Sequence, residues 1–377
     1  MDFQKIREQI PAAENHCYLM SAAASPLHPA AFQRAKQFLE DLHINGDIHW
    51  EETLEEIEGV RQRLARLINV KPTEIAFVSS SSMAMNIISL LLKKRFSRMK
   101  SELPEVLTLS NEFPSTTIAW LHQGYKLHFA KPNHGLYTEE IFDQTRSPET
   151  KIFLASHIQY SSGFRLDLDF VKTYAQKHDL ISVINATQSF GTFPIDASKA
   201  NFLCASVHKW MMSGYGICIL KVDENFLEDI PLAGWLSQKE VWPLVNNRLT
   251  LLKEAKALEV GCAPMIQILS IGATLKWIEE NGGFSPIWDR VKTLSAYAKK
   301  RFQEEGVELV YDFPQESSSS ILYVKSDNAE EMEARLKEKN VFVSARQGSL
   351  RVAIHYFNNE SDIDCFIQAY EDCKKDL

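Results

Sequence analysis

Lys209 is the residue on which a chemistry can be built. It lies in Ser206-Val207-His208-Lys209-Trp210, between the apolar runs 201–205 and 217–220, with Ser213-Gly214-Tyr215-Gly216 turning the chain in between. A lysine bounded by buried strands loses solvation, and its amine becomes a better nucleophile. Such an amine suits a Schiff base with a carbonyl compound or with pyridoxal phosphate. It also suits a plainer role, a stem lying on apolar surface with its head in water. These five residues support both readings equally, and the rest of the chain must decide.

A second chemical stretch is Ser79-Ser80-Ser81-Ser82, which follows Ile75-Ala76-Phe77-Val78 and precedes Met83-Ala84-Met85-Asn86-Ile87-Ile88. A strand, a small polar turn and a helix start place free N–H groups and the positive end of the helix dipole at the turn. One serine suffices to cap the helix. Four in a row exceed that need and point to a phosphate. Further polar groups fall after apolar runs: Glu112-Phe113, His157, and Asn185 with Gln188.

The elements that must position these residues follow from periodicity. Helices are predicted over 28–45 and from Trp50, the latter with apolar Leu54, Ile57, Leu64, Leu67 and Ile68. Strands are predicted near 75–78, 105–110, 125–130, 151–156, 180–185, 202–206 and 216–222. Helices near 114–123, 138–145 and 168–178 alternate with them. This is the pattern of an α/β sheet, mostly parallel, with helices on both faces. Ligands bind at the carboxyl ends of such strands, and the reactive and polar residues cluster there. Ser21-Ala22-Ala23-Ala24-Ser25-Pro26 is a small-residue turn that either admits close backbone approach or is a plain loop. Residues 223–258 connect to a second part. There, helices are predicted from Ile266, over 285–304, near 329–338 and from 361, with strands near 307–311, 320–325, 340–344 and 350–354.

Composition excludes several partners. The chain has 377 residues, 45% hydrophobic and 24% charged, with a net charge of -8 and no basic run that could track a phosphate backbone. No run is long enough to span a membrane, and the first residues lack an apolar signal core. Six scattered cysteines form no CxxC pair and suit a reducing compartment. The expectation is a cytoplasmic protein that binds neither nucleic acid nor membrane.

Taken together, these motifs resemble the class V aminotransferase family of fold-type I pyridoxal phosphate enzymes. That group includes cysteine desulfurases, kynureninase and isopenicillin N epimerase-like proteins. The resemblance spans nearly the whole chain and is most specific over 185–216 and 350–363. It implies a large domain over 26–258 built on a seven-stranded-type sheet, a smaller α+β domain over 259–377, and an N-terminal segment, 1–25, packing with the small domain. It implies a homodimer acting on an amino acid.

Residue by residue, Lys209 matches the lysine that carries the cofactor as an internal aldimine. Ser206 and His208 match side chains beside its phosphate, and Ser81 and Ser82 match the phosphate-binding turn. Phe113 matches the aromatic position stacked on the ring, and Gln188 the residue bonded to the phenolic oxygen. Arg351 matches the arginine that grips the substrate carboxylate, which a guanidinium does with two parallel bonds.

Three positions depart from the family. Asn185 stands where an aspartate faces the pyridine nitrogen. Cys262, after Gly261, stands where a threonine often reaches the phosphate of the neighbouring subunit. The segment Val343–Ser349 lacks the sulfur-accepting cysteine of desulfurases, which argues against that activity. The resemblance implies an aminotransferase, with a lyase or epimerase as one alternative. A weakened, non-catalytic pyridoxal phosphate-binding homologue, motivated by Asn185, is the other.

Overall fold

The computed structural model describes residues 1–242 and 244–375. Its centre is a seven-stranded sheet in the order β2-β8-β7-β6-β5-β3-β4. The strands are β2 (Ile75–Val78), β3 (Glu105–Leu109), β4 (Leu127–Ala130), β5 (Thr150–Ser156), β6 (Ile181–Asn185), β7 (Phe202–Ser206) and β8 (Cys218–Val222). All neighbours are parallel except β8, which runs antiparallel to both β2 and β7. Strands β2, β7 and β8 are buried at every residue. A parallel sheet covered on both faces needs such continuous apolar runs.

The covering helices alternate with the strands as the periodicity predicts. They are α5 (Ser81–Arg98), α6 (Pro114–His122), α7 (Glu139–Thr145) and α8 (Leu168–Lys177). Local chemistry starts them. Ser80 accepts from Met83 N–H at the head of α5, Thr138 from Ile141 N–H at α7, and Asp167 from Asp169 N–H at α8. Pro114 opens α6 at a position whose N–H has no helical partner in any case.

Before the sheet come α1 (Phe3–Arg7), α2 (Pro11–Asn15), β1 (Cys17–Tyr18), α3 (Pro29–Asn45) and α4 (Trp50–Leu67). After it come α9 (Met265–Glu280), α10 (Ser285–Glu304), β9 (Ile321–Lys325), α11 (Ala329–Glu338), β10 (Val341–Phe342), β11 (Ser344–Arg346), β12 (Ser349–Ala353) and α12 (Glu360–Lys375). Strands β11, β12 and β9 form an antiparallel sheet, while β10 pairs with β1 in parallel. Cys17 and Leu19 join the apolar cluster of that sheet and of α10 to α12, whereas Ile6, Ile10 and Ala13 join the cluster under the large sheet. Helix α9 also buries Ile268, Leu269, Ile271 and Leu275 in the large-sheet cluster. Its Gly272 lets it meet α4 closely, since a Cβ there would stand 2.3 Å from Val60.

One predicted strand is absent. Residues 307–311 make only a bridge, Leu309 to Val324, flanked by bonds from Lys325 N–H to Glu308 O and from Val310 N–H to Tyr323 O. Beyond the bridge, Tyr311 and Phe313 stack on each other at 5.5 Å, with Tyr311 edge-on to Tyr323 of β9 and Phe313 edge-on to Phe164.

Candidate active site

The carboxyl ends of β6 and β7 deliver Asn185 and Ser206, and the segments that leave these strands deliver Thr187, Gln188, His208 and Lys209. These six residues border a cavity of about 250 Å³. The head of α5 adds Ser81, the head of α6 adds Phe113 and Ser115, and the end of β5 adds Ser156. Ala22 and Ala23 of the small-residue turn close one side, and Tyr160, Arg346 and Arg351 close another. The serine turn, the lysine segment and the arginine motif are thus brought together from distant parts of the chain.

Each side chain is held by identifiable bonds. Gln188 Nε2 donates to Ala22 O at 3.0 Å, and Trp210 Nε1 donates to Gln188 Oε1 at 2.9 Å. One Nε2 hydrogen of Gln188 is left over. Asn185 Oδ1 accepts from Thr187 N–H at 3.0 Å. Ser206 Oγ accepts from Ser81 N–H at 3.3 Å, and Ser206 N–H donates to Thr187 Oγ1 at 3.1 Å. Phe113 meets Tyr160 edge-on, with centroids 5.1 Å apart. The Lys209 ammonium nitrogen lies 5.7 Å from the Phe113 ring centroid.

The electrostatics favour a reactive amine. No carboxylate lines the cavity among the described residues, while Lys209, Arg346 and Arg351 all do. Burial, helped by the charges of Arg351 and Arg346, lowers Lys209 to about 7. Burial and the Lys209 charge push His208 down to about 4, so its ring is neutral, and it stacks on Tyr215 at 4.7 Å. Arg351 is 3% exposed, its Nε has no partner, and its NH1 makes a long 3.4 Å bond to Tyr160 O, with the Tyr323 hydroxyl also bonding the guanidinium. A buried guanidinium in that state is an open anion site.

Several expected residues stand elsewhere. Ser82 is exposed on the first turn of α5, rotated about 100° from Ser81 by the helix, and its carbonyl accepts from Asn86 Nδ2. Cys262 is exposed, outside this cavity. His157 was expected at a strand end facing a ligand. It turns into the core instead, with Nδ1 2.8 Å from Ser189 Oγ, and burial pushes it down to about 3. Glu112 lies behind the cavity, taking bonds from Ser156 N–H, Ser156 Oγ and Gln159 Nε2, and burial raises its carboxyl. Thr116, Thr187, Ser156, Tyr160 and Arg346 carry no sequence signal of their own. Only their positions next to strand ends and motifs could have raised them.

Residues 17–366 match the Aminotransferase class-V family. The chain belongs to that family. An uncharacterized aminotransferase, YcbU, of Bacillus subtilis (strain 168) is 23% identical over 365 residues, covering 96% of this chain and 95% of YcbU. The apo structure of a cysteine desulfurase from Thermococcus onnurineus NA1 superposes with TM-score 0.87 at 18% identity, covering 99% of this chain and 98% of that one. A C-DES mutant with glycine covalently linked to its PLP cofactor superposes with TM-score 0.84 at 17% identity, covering 97% of this chain and 99% of that one. The fold is that of the fold-type I enzymes, and the cofactor that family membership implies is pyridoxal phosphate. The donor set fits it: a depressed lysine amine, hydroxyls at a helix N-terminus, an aromatic face, and amides at the far wall.

Proposed function

We propose that this class V enzyme acts on a small amino acid, and that it is an aminotransferase. The observation that carries the reading is the pairing of Lys209 with Arg351 in one cavity free of carboxylates among the described residues. Lys209 would hold the cofactor. Ser81, Ser206 and His208 would hold its phosphate, with Ser82 at the same helix head, and Phe113 would lie against its ring. Asn185 would face the ring nitrogen, and the spare Gln188 N–H the phenolic oxygen. Pyridoxal phosphate, when bound, supplies an aldehyde for amine exchange and a ring that takes up electrons from Cα.

Arg351 would fix the substrate carboxylate with two parallel bonds, which sets the orientation of Cα. The Lys209 amine, lowered to about 7 by burial and by Arg351 and Arg346, is the base placed to take and return the Cα proton. Phe113, Tyr160 and the Ala22–Ala23 turn would exclude water around it. Cysteine desulfurase activity of the usual kind is disfavoured in this reading, because no cysteine lines the cavity or occupies 343–349.

The working unit in this reading is a homodimer in the cytoplasm. Helix α3 buries only Ala31, while Phe32, Leu39 and Leu42 on it, and Ile44 and Ile48 at its end, are exposed. Such a face needs a partner, and Cys262 would reach the second copy. The six scattered cysteines, with no CxxC pair among them, support a reducing compartment.

The test is direct. Purified protein should be yellow, and borohydride should fix the cofactor on Lys209, located by peptide mass. Mixing with amino acids should then change the absorbance and release a keto acid. Loss of Cα configuration without keto acid would make it an epimerase, and release of a side-chain fragment a lyase. A loaded protein that answers to no amino acid would be a binding protein, the reading that Asn185 motivates. A colourless protein that takes up no cofactor overturns the proposal.

A further inference from the structure

Arg346 and Arg351 stand on the same face of the β11–β12 hairpin. Ser344 pairs with Arg351, and Arg346 pairs with Ser349. Opposed residues share a face, and side chains alternate along each strand, so the two arginines are diagonal neighbours. Both line the cavity that holds Lys209. Neither has a carboxylate partner among the described residues. Arg346 NH1 reaches the carbonyl of Ala345, at 2.6 Å, and Arg351 meets the carbonyl of Tyr160 and the Tyr323 hydroxyl. Their charges act on each other and on Lys209.

Arg351 is buried while Arg346 is exposed at the cavity's edge, and a substrate carboxylate held by two parallel bonds to Arg351 leaves Arg346 available to a second acid. We infer that the site takes a small amino acid whose side chain ends in a second acid, with Arg351 on the α-carboxylate and Arg346 on the side-chain acid. This rests on the amino-acid reading above. The diagonal spacing of the two arginines on the hairpin, roughly 7–8 Å, suits a short side chain, and the cavity of about 250 Å³ is small beside the ~300–1,000 Å³ of most ligand pockets. Basic side chains would be repelled by Arg346 and Arg351, and neutral ones make no ion pair with Arg346.

The experiment titrates protein loaded with pyridoxal phosphate with L-aspartate, L-asparagine and L-alanine, read by calorimetry and visible absorbance. L-aspartate should bind about 10-fold or more tighter than L-asparagine, the value of one charge-assisted bond. Arg346→Gln should abolish that advantage and Arg346→Lys should restore part of it, while affinity for L-alanine stays within about twofold. Protein without cofactor should bind succinate more tightly than butyrate, and Arg346→Gln should erase that difference too. Equal affinity for aspartate and asparagine overturns the inference, as does an aspartate advantage that survives Arg346→Gln. If alanine still binds in either case, the amino-acid reading stands. If no amino acid binds, that reading falls and this inference falls with it.

Discussion

The Asn185 amide donates from Nδ2 to Thr116 Oγ1 across 2.9 Å. Its Oδ1 takes the Thr187 N–H, a group that can only donate, so the orientation of the amide is set. Asn185 is 5% exposed. The far wall of the cavity is therefore neutral where the family resemblance expects a carboxylate. In Asn185→Asp the Thr187 N–H still donates, and the Thr116 hydroxyl, which now bonds Glu112, can turn from it to donate to the new carboxylate. At ~4 Å and an effective dielectric of ~20, the added charge is worth roughly 4 kcal/mol to a protonated ring nitrogen. The absorbance change on mixing with an amino acid should accelerate by up to ~10³-fold, measured by stopped flow. An unchanged rate would mean that ring protonation does not limit this enzyme.

Lys209 makes stability depend on pH in a stated direction. Its ordinary value of 10.5 is lowered to about 7 by burial, then by Arg351 and Arg346. Between those values the unfolded chain binds more protons than the folded one, so stability rises with pH through that window. Below about pH 7 the folded state carries the full cost of the buried ammonium. Cofactor-free Lys209→Met should therefore melt higher than the natural protein at pH 6, by roughly 2 °C or more. That gap should close towards pH 10. A gap that does not change with pH would show that packing, not charge, is responsible.

The sequence made some of this legible and hid the rest for physical reasons. Helix α10 and strand β2 fall where the periodicity predicts, because each is a long or fully buried run with clear ends. The 307–311 segment is apolar enough to read as a strand, but it makes only the Leu309–Val324 bridge and its flanking bonds, and no local pattern encodes how far pairing runs. Lys209, Ser81, Gln188 and Arg351 sit in motifs at strand or helix ends and meet in one cavity. Arg346 did not stand out, because its role depends on sharing a hairpin face with Arg351. His157 looks like a site residue because it directly follows β5, yet the next side chain after a strand end is as free to enter the core.

Arg61 and Glu259 form a buried ion pair at 2.7 Å, with side-chain exposures of 3% and 8%. Arg61 NH1 also donates to Ile75 O, and Glu259 Oε1 accepts from Phe77 N–H, so the pair ties the turn at 259–264 to α4 and β2. Glu259→Gln leaves the Arg61 charge mostly uncompensated, with Glu58 still near. The loss should be about 3 kcal/mol, towards the low end of the range for breaking a buried pair. Urea unfolding should show a lower midpoint with an unchanged slope. A loss under about 0.5 kcal/mol would place the pair among those worth little.

Gly191 lies against the backbone of Trp210. Its φ is +117°, and a Cβ there would stand 2.3 Å from both the carbonyl carbon and oxygen of Trp210. Neither atom belongs to a flexible side chain, so Gly191→Ala must move the main chain next to Lys209. The φ adds a strain of its own for any L side chain. The variant should lose about 3 kcal/mol or more, by overpacking and strain together. In the fraction that folds, the Trp210 indole should shift from Gln188, which tryptophan fluorescence would report, and Lys209 should take up cofactor more slowly. Gly261→Ala is the control, because nothing lies within 4 Å of its added carbon. It should change stability by less than about 0.5 kcal/mol. Similar losses in the two variants would mean that the contact between Gly191 and Trp210 does not hold the lysine segment in place.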